Sequence, residues 1–221
     1  MFDYKGLIFD LDGTIAESLY VWKKVDIDFF GKRGLTIPEN YSEKISSMSF
    51  IQAATFTKNE YNFEEDVQDI MDEWYSMAIN EYSQNVRPKP FVTEFIQEAK
   101  SKGSKIALCT ASPKELYEPF LKNNNLYQYF DVFVSGTEVD RGKEYPDIYL
   151  LTAKKLGIKP EECIVFEDIL KAIKGAKSAN MKIIGVFDKE SAKDSQKIKE
   201  QADGFIYDFS KESFENLNFN E

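Results

Sequence analysis

The sequence predicts an α/β protein: a mainly parallel sheet, interrupted after its first strand by an all-helical insertion. Three observations carry this. Short apolar runs recur along the chain and end in polar or glycine-bearing turns. Helical periodicities alternate with them over short links, the pattern that builds a parallel sheet. One stretch, 16–87, has helical periodicity and no strand-like run.

The elements follow in order. Leu7-Ile8-Phe9 reads as a buried strand running into Asp10-Leu11-Asp12-Gly13-Thr14. Ile15-Ala16 is the outgoing link. In the insertion, Leu19, Trp22, Phe29 and Phe30 suit one helix, and Pro38-Glu39 opens another. Phe50, Ala53, Ala54 and Phe56 are apolar in a third, and Val67, Ile70, Met71, Trp74 and Met77 stripe the last. Arg87-Pro88-Lys89-Pro90 is a rigid return, since proline restricts itself and its predecessor. Phe91, Phe95, Ile96 and Ala99 predict a helix ended near Gly103. Lys105 to Cys109 is a strand ending at Thr110. Ser112 caps the next helix, with Pro113 at its first position and Leu116, Phe120 and Leu121 inside. Strands follow at Asp131–Val134, Glu162–Phe166 and Met181–Val186, with a short sixth at Phe205–Tyr207. Ile148 to Leu156, stopped by Gly157, and Leu170 to Ala179 are the helices between them. Residues 189–201 read as an exposed charged helix or loop, and the tail packs Phe214 and Phe219 weakly. The expected division is a core of 1–15 and 88–221 and an insertion of 16–87.

The chain has 221 residues, 28 Lys plus Arg, 38 Asp plus Glu and no histidine, a net charge of −10. Without histidine, Ser-His-Asp and Cys-His catalysis and His-ligated metals are excluded. Acid–base chemistry near neutral pH falls to carboxylates, lysine, tyrosine or metal-bound oxygen. The charge argues against a nucleic-acid partner, because phosphate neutralisation needs clustered cations. Cys109 and Cys163 lie in apolar runs and are expected buried. Asp3-Tyr4-Lys5 before a short apolar run is unlike a signal peptide, and no apolar run approaches a membrane span. A soluble cytoplasmic protein with no membrane partner, monomer or homodimer, is the expectation.

Asp10 and Asp12 flank one residue at a strand end. Two carboxylates so close repel unless a cation neutralises them. Thr110, Ala111 and Ser112 lie between a strand and a helix, where a hydroxyl and N–H groups make an anion site. Lys143 follows Gly142 in a loop. Glu167-Asp168 is a second acidic pair at a strand end, readable alone as a helix cap. Glu17 and Ser18 follow the first acidic pair, placed to meet a substrate. Trp22 either packs in the insertion or lines a substrate chamber.

Phe9-Asp10-Leu11-Asp12-Gly13-Thr14 resembles the first motif of the haloacid dehalogenase-like hydrolases. Thr110, Lys143 with Pro146-Asp147-Ile148-Tyr149, and Val165-Phe166-Glu167-Asp168 are similar to the second, third and fourth motifs in order. Lys159 to Val186 resembles the phosphoglycolate phosphatase and β-phosphoglucomutase branch. The resemblance implies a Rossmann-like core with a helical cap and a magnesium-dependent phosphatase of a small phosphorylated metabolite. Asp10 is then the nucleophile, Asp12 the acid–base group and Lys143 the neutralising cation. Thr110, Ala111 and Ser112 bind the phosphoryl group, and Glu17 and Trp22 touch the substrate. Asp10, Asp12 through its carbonyl, Asp168 and Glu167 hold Mg2+. The rival reading is a β-phosphoglucomutase-like mutase. Such proteins carry a histidine near the position of Trp22 and a cap arginine for a second phosphate. This chain lacks the histidine, and Ser46 to Phe56 contains no Arg or Lys. A non-catalytic binding protein on the same fold is the third class. Ile169 in place of the usual Ser or Thr, Glu144 beside Lys143, and Asn180 in place of glycine depart from the pattern.

Overall fold

The structure, a computed structural model, describes residues 5–45 and 48–215. Asp3, Tyr4, Ser46 and Phe219, used above, lie outside them. The chain forms two compact units, 1–19 with 86–221, and 20–85.

The first unit is built on one six-stranded sheet: β1 Gly6–Phe9, β2 Lys105–Thr110, β3 Val132–Ser135, β4 Cys163–Glu167, β5 Lys182–Val186 and β6 Gly204–Ile206. The order is β3-β2-β1-β4-β5-β6, and every neighbouring pair is parallel. The apolar runs become strands because they are covered on both faces. Ile8, Phe9, Ala107, Leu108, Ile164 and Phe166 are fully buried. Strand order reverses direction at β1, with β2 on one side and β4 on the other. The crevice at the carboxyl ends of these three strands is therefore the topological switch point, where open α/β sheets bind ligands.

The helices of this unit are α5 Val92–Ser101, α6 Lys114–Asn123, α7 Asp147–Leu156, α8 Leu170–Ser178, α9 Ser195–Gln201 and α10 Lys211–Glu215. Gly157 ends α7 in the left-handed region (φ 67°), the C-terminal signal read in the sequence. Asn180 takes φ 62°, so an amide-bearing residue serves where glycine is usual. Three local readings change. Phe91 does not continue the apolar face of α5; it precedes the helix at φ 64° and is half exposed. Asp168 does not cap α8; Ile169 holds that position, without a side-chain cap bond. Pro113 stands before α6 rather than inside its first turn, and Ser112 makes no cap bond.

The outgoing and returning chains pair beside β1. Ala16 bridges Pro88 antiparallel, the Glu17 amide donates to the Arg87 carbonyl, and the Lys89 amide donates to the Ile15 carbonyl. Lys89 is pinned further by a buried ion pair to Asp188 at 2.5 Å. Leu19 belongs here rather than to the first inserted helix: it lies against Gly13.

The second unit contains α1 Val21–Lys32, α2 Tyr41–Ile45, α3 Phe50–Tyr61 and α4 Val67–Gln84. Its core joins Phe29, Phe30, Tyr41, Ile70 and Trp74, with edge-to-face rings such as Phe29–Trp74 at 5.4 Å. α3 buries the small residues Ala53, Ala54 and Thr57, while Phe50 and Ile51 are exposed.

Candidate active site

Asp10 follows β1 directly, and its amide donates to the Phe166 carbonyl of β4. That bond extends the parallel register by one residue and sets Asp10 beside Glu167. Gly13 then turns the chain at φ 83°. A Cβ there would lie 2.3 Å from Asp168 Oδ2, so glycine is needed for conformation and for room. Thr14 donates to Asp168 Oδ1 at 3.1 Å.

Lys143 reaches this cluster from the loop before α7. Its ammonium donates to Asp10 Oδ1 (2.7 Å), Glu167 Oε2 (2.5 Å) and the Cys109 carbonyl (3.1 Å). The loop is held against α8 at Gly175, where a Cβ would meet the Lys143 carbonyl at 2.0 Å. Glu144 faces solvent. Glu167 is saturated: its other oxygen accepts the Asp168 and Ile169 amides at 3.1 and 3.2 Å.

Asp10, Glu167 and Asp168 are all buried, with candidate ligand atoms within 4.8 Å of one another. Burial and the Glu167 charge push Asp10 up to about 7, against the opposing pull of Lys143. Burial, then the Glu167 and Asp10 charges, holds Asp168 well above the usual carboxylate range. Lys143 is held well above the ordinary lysine value: burial opposes its charge, but Asp10 and Glu167 outweigh it. Three carboxylates share one ammonium, and Asp168 Oδ2 is buried without a hydrogen-bond partner. An orphaned carboxylate oxygen in an all-oxygen donor set fits a hard divalent cation. The buried acidic cluster is thus capable of holding a metal.

Asp12 is held differently. Ser18 donates to its Oδ1 and Ser112 to its Oδ2, both at 2.6 Å. Ser112 therefore spends its hydroxyl on Asp12, and its amide donates to Thr110 Oγ1 at 2.9 Å. Thr110 is buried and Ala111 exposed. Glu17 is exposed on the link after the turn. Trp22 lies on α1 of the helical unit, two-fifths exposed, its ring 5.7 Å from Phe50. Two contacts carry no direct signal in the sequence: Ser18 with Asp12, and Tyr149, a member of the third motif, with Glu167. The Tyr149 hydroxyl lies 3.5 Å from Glu167 Oε2 and donates to the Ala172 carbonyl at 3.1 Å. Only the closeness of Ser18 to the acidic turn could have suggested the first.

Residues 7–186 match the family model described as haloacid dehalogenase-like hydrolase. The chain belongs to that family. It is 29% identical over 187 residues to a phosphorylated carbohydrates phosphatase of Thermotoga maritima, covering 82% of this chain and 85% of the relative. It is 29% identical over 185 residues to a fructose-1-phosphate phosphatase of Escherichia coli K12, covering 83% and 96%. A crystal structure of β-phosphoglucomutase from Clostridium difficile superposes with a TM-score of 0.69 at 26% identity, covering 96% of this chain and 94% of that one. Cys109 and Cys163 are buried, and burial pushes their thiols up to about 12 and about 11. Neither is a thiolate nucleophile. No helix among the described residues is long and apolar enough to cross a membrane.

Proposed function

We propose that this haloacid dehalogenase-like hydrolase is a magnesium-dependent phosphatase of small phosphomonoesters, sugar phosphates foremost, with Asp10 as its nucleophile. The observation that carries the reading is Asp10 itself: a buried carboxylate, bound by Lys143, in an acidic cluster short of positive charge. Relatives named as phosphatases of phosphorylated carbohydrates and fructose 1-phosphate support the substrate class.

Asp10, Asp168 and the Asp12 carbonyl would hold Mg2+, with Glu167 supporting them through the Asp168 amide and Lys143. Bound there, the cation would offset charge on the phosphoryl oxygens and let a carboxylate approach them. The rest is done by the chain. Asp10 attacks phosphorus, an Oδ–P bond forms and the bond to the leaving oxygen breaks. Asp12 gives that oxygen a proton. Water then attacks the phosphoryl-aspartate, Asp12 takes its proton, and phosphate leaves with Asp10 restored. Lys143 neutralises Asp10 and the charge that develops on the phosphoryl group. Thr110 and the loop through Ala111 bind phosphoryl oxygens. Glu17 and Trp22 are the proposed contacts to the leaving group.

The solved β-phosphoglucomutase neighbour gives a mutase reading some weight. A mutase must hold a second phosphate. Arg33 is the one arginine in 20–85, and it is fully engaged by Glu65, Glu73 and the Phe29 carbonyl. Hydrolysis is therefore favoured. A panel of phosphomonoesters assayed with Mg2+ tests it. The expected result is phosphate release that EDTA abolishes and Asp10→Asn lowers at least 10³-fold, on the order of the loss when a nucleophile is removed. Undiminished turnover in Asp10→Asn sinks the mechanism. Conversion of β-glucose 1-phosphate to glucose 6-phosphate without phosphate release would favour the mutase.

A further inference from the structure

We propose that Ser18 and Ser112 are positioning residues that aim the Asp12 carboxylate at the leaving oxygen, so that this pair of hydroxyls sets the enzyme's ability to cleave aliphatic phosphate esters. The proposal rests on the phosphatase reading and deepens it. The two serines come from different loops, one after β1 and one after β2, and each donates to a different oxygen of the same carboxylate at 2.6 Å. Ser18 is 2% exposed, so water does not compete for its hydroxyl.

A carboxylate offers about four acceptor sites. Two hydroxyls, one on each oxygen, fix its rotation about both side-chain torsions while leaving it able to carry a proton. An Asp held by one bond could swing; one held from two loops cannot without breaking a short bond. The arrangement also assigns Ser112 a different task from phosphoryl binding. Its one proton is given to Asp12, and its amide serves Thr110. Lys143 is committed to Asp10 and Glu167, so nothing in its contacts aligns Asp12.

Leaving groups differ in their need for that alignment. A sugar or alkyl alkoxide is a poor leaving group and must be protonated as the bond breaks. A nitrophenolate leaves unprotonated. General acid catalysis contributes roughly 10²–10⁴ to such a step, and misplacement by about 1 Å costs a large part of it. A purely architectural serine would affect both ester types equally.

The test compares kcat/KM, which reports the steps through leaving-group departure, for p-nitrophenyl phosphate and for the best sugar phosphate of the panel, with Mg2+ present. In Ser18→Ala, and independently in Ser112→Ala, the sugar phosphate value is expected to fall about tenfold or more. The p-nitrophenyl phosphate value should stay within about threefold. Equal losses on both esters, or no loss on either, in either variant that folds would overturn the proposal. If wild type hydrolyses neither ester, or Asp10→Asn matches wild type, the phosphatase reading itself fails. The Ser112 variant keeps the test valid should Ser18→Ala not fold.

Discussion

Asp26, on α1, is nearly fully buried, with a Ser42 hydroxyl at 3.3 Å from one carboxylate oxygen. Burial pushes it up to about 6, the hydroxyl offsetting only part. The folded state therefore binds this proton more tightly than the unfolded chain. Stability from this group is present below about pH 4 and is lost as pH rises to about 6. At pH 7 the ionised, buried carboxylate costs on the order of 3 kcal/mol. Asp26→Asn is expected to stabilise the protein at pH 7 and to change little at pH 3. Both tryptophans lie in the helical unit, so their fluorescence in urea melts reports it directly. A variant no more stable than wild type at pH 7 contradicts the account. Asp10 is pushed higher still, to about 7, but unlike Asp26 it faces a cation. Lys143 pulls against the cost of its burial, and the cluster with the partnerless Asp168 Oδ2 is capable of holding a metal, which would offset the rest.

At the scale of elements, the strands were legible because each is an apolar run with a polar stop. Asp10, Thr110 and Glu167 stand at or beside those stops, so their place in the candidate site could be read from position. Lys143 was legible only through the order of motifs; its own surroundings in the sequence look like any surface loop. What brings it inward is α8, which packs on the loop at Gly175. Sequence periodicity placed Gly175 in a helix but gave no sign of that contact. Gly175→Ala is expected to displace the loop and cut activity by at least tenfold while leaving helical content unchanged by circular dichroism. Activity at the wild-type level would show that the loop yields at no cost. The errors have a shared cause. Phe91, Ser112 and Asp168 were assigned by local rules of helix start and periodicity. Tertiary hydrogen bonds and packing then decided otherwise: Thr14 engages Asp168, Ser112 engages Asp12, and the Phe91 backbone turns through the left-handed region.

The whole molecule is a parallel-sheet unit with a helical insertion returned beside the strand that carries Asp10. Both ends of the insertion are fastened within the sheet unit, by the Ala16–Pro88 bridge and the Lys89–Asp188 pair. A chain without histidine can still perform phosphoryl transfer, because the work is electrostatic and positional. In the proposed mechanism that work falls to Asp10, Asp12, Lys143 and the acidic cluster. The central claim is that Asp10 becomes phosphorylated. Its most direct test is an acid-quenched reaction of the enzyme with Mg2+ and a 32P-labelled phosphomonoester, followed by peptide mapping. Acid-stable, alkali-labile label on the peptide containing Asp10, and none in Asp10→Asn, is the expected result. Steady turnover with no label on that peptide at any quench time, undiminished in Asp10→Asn, would contradict it.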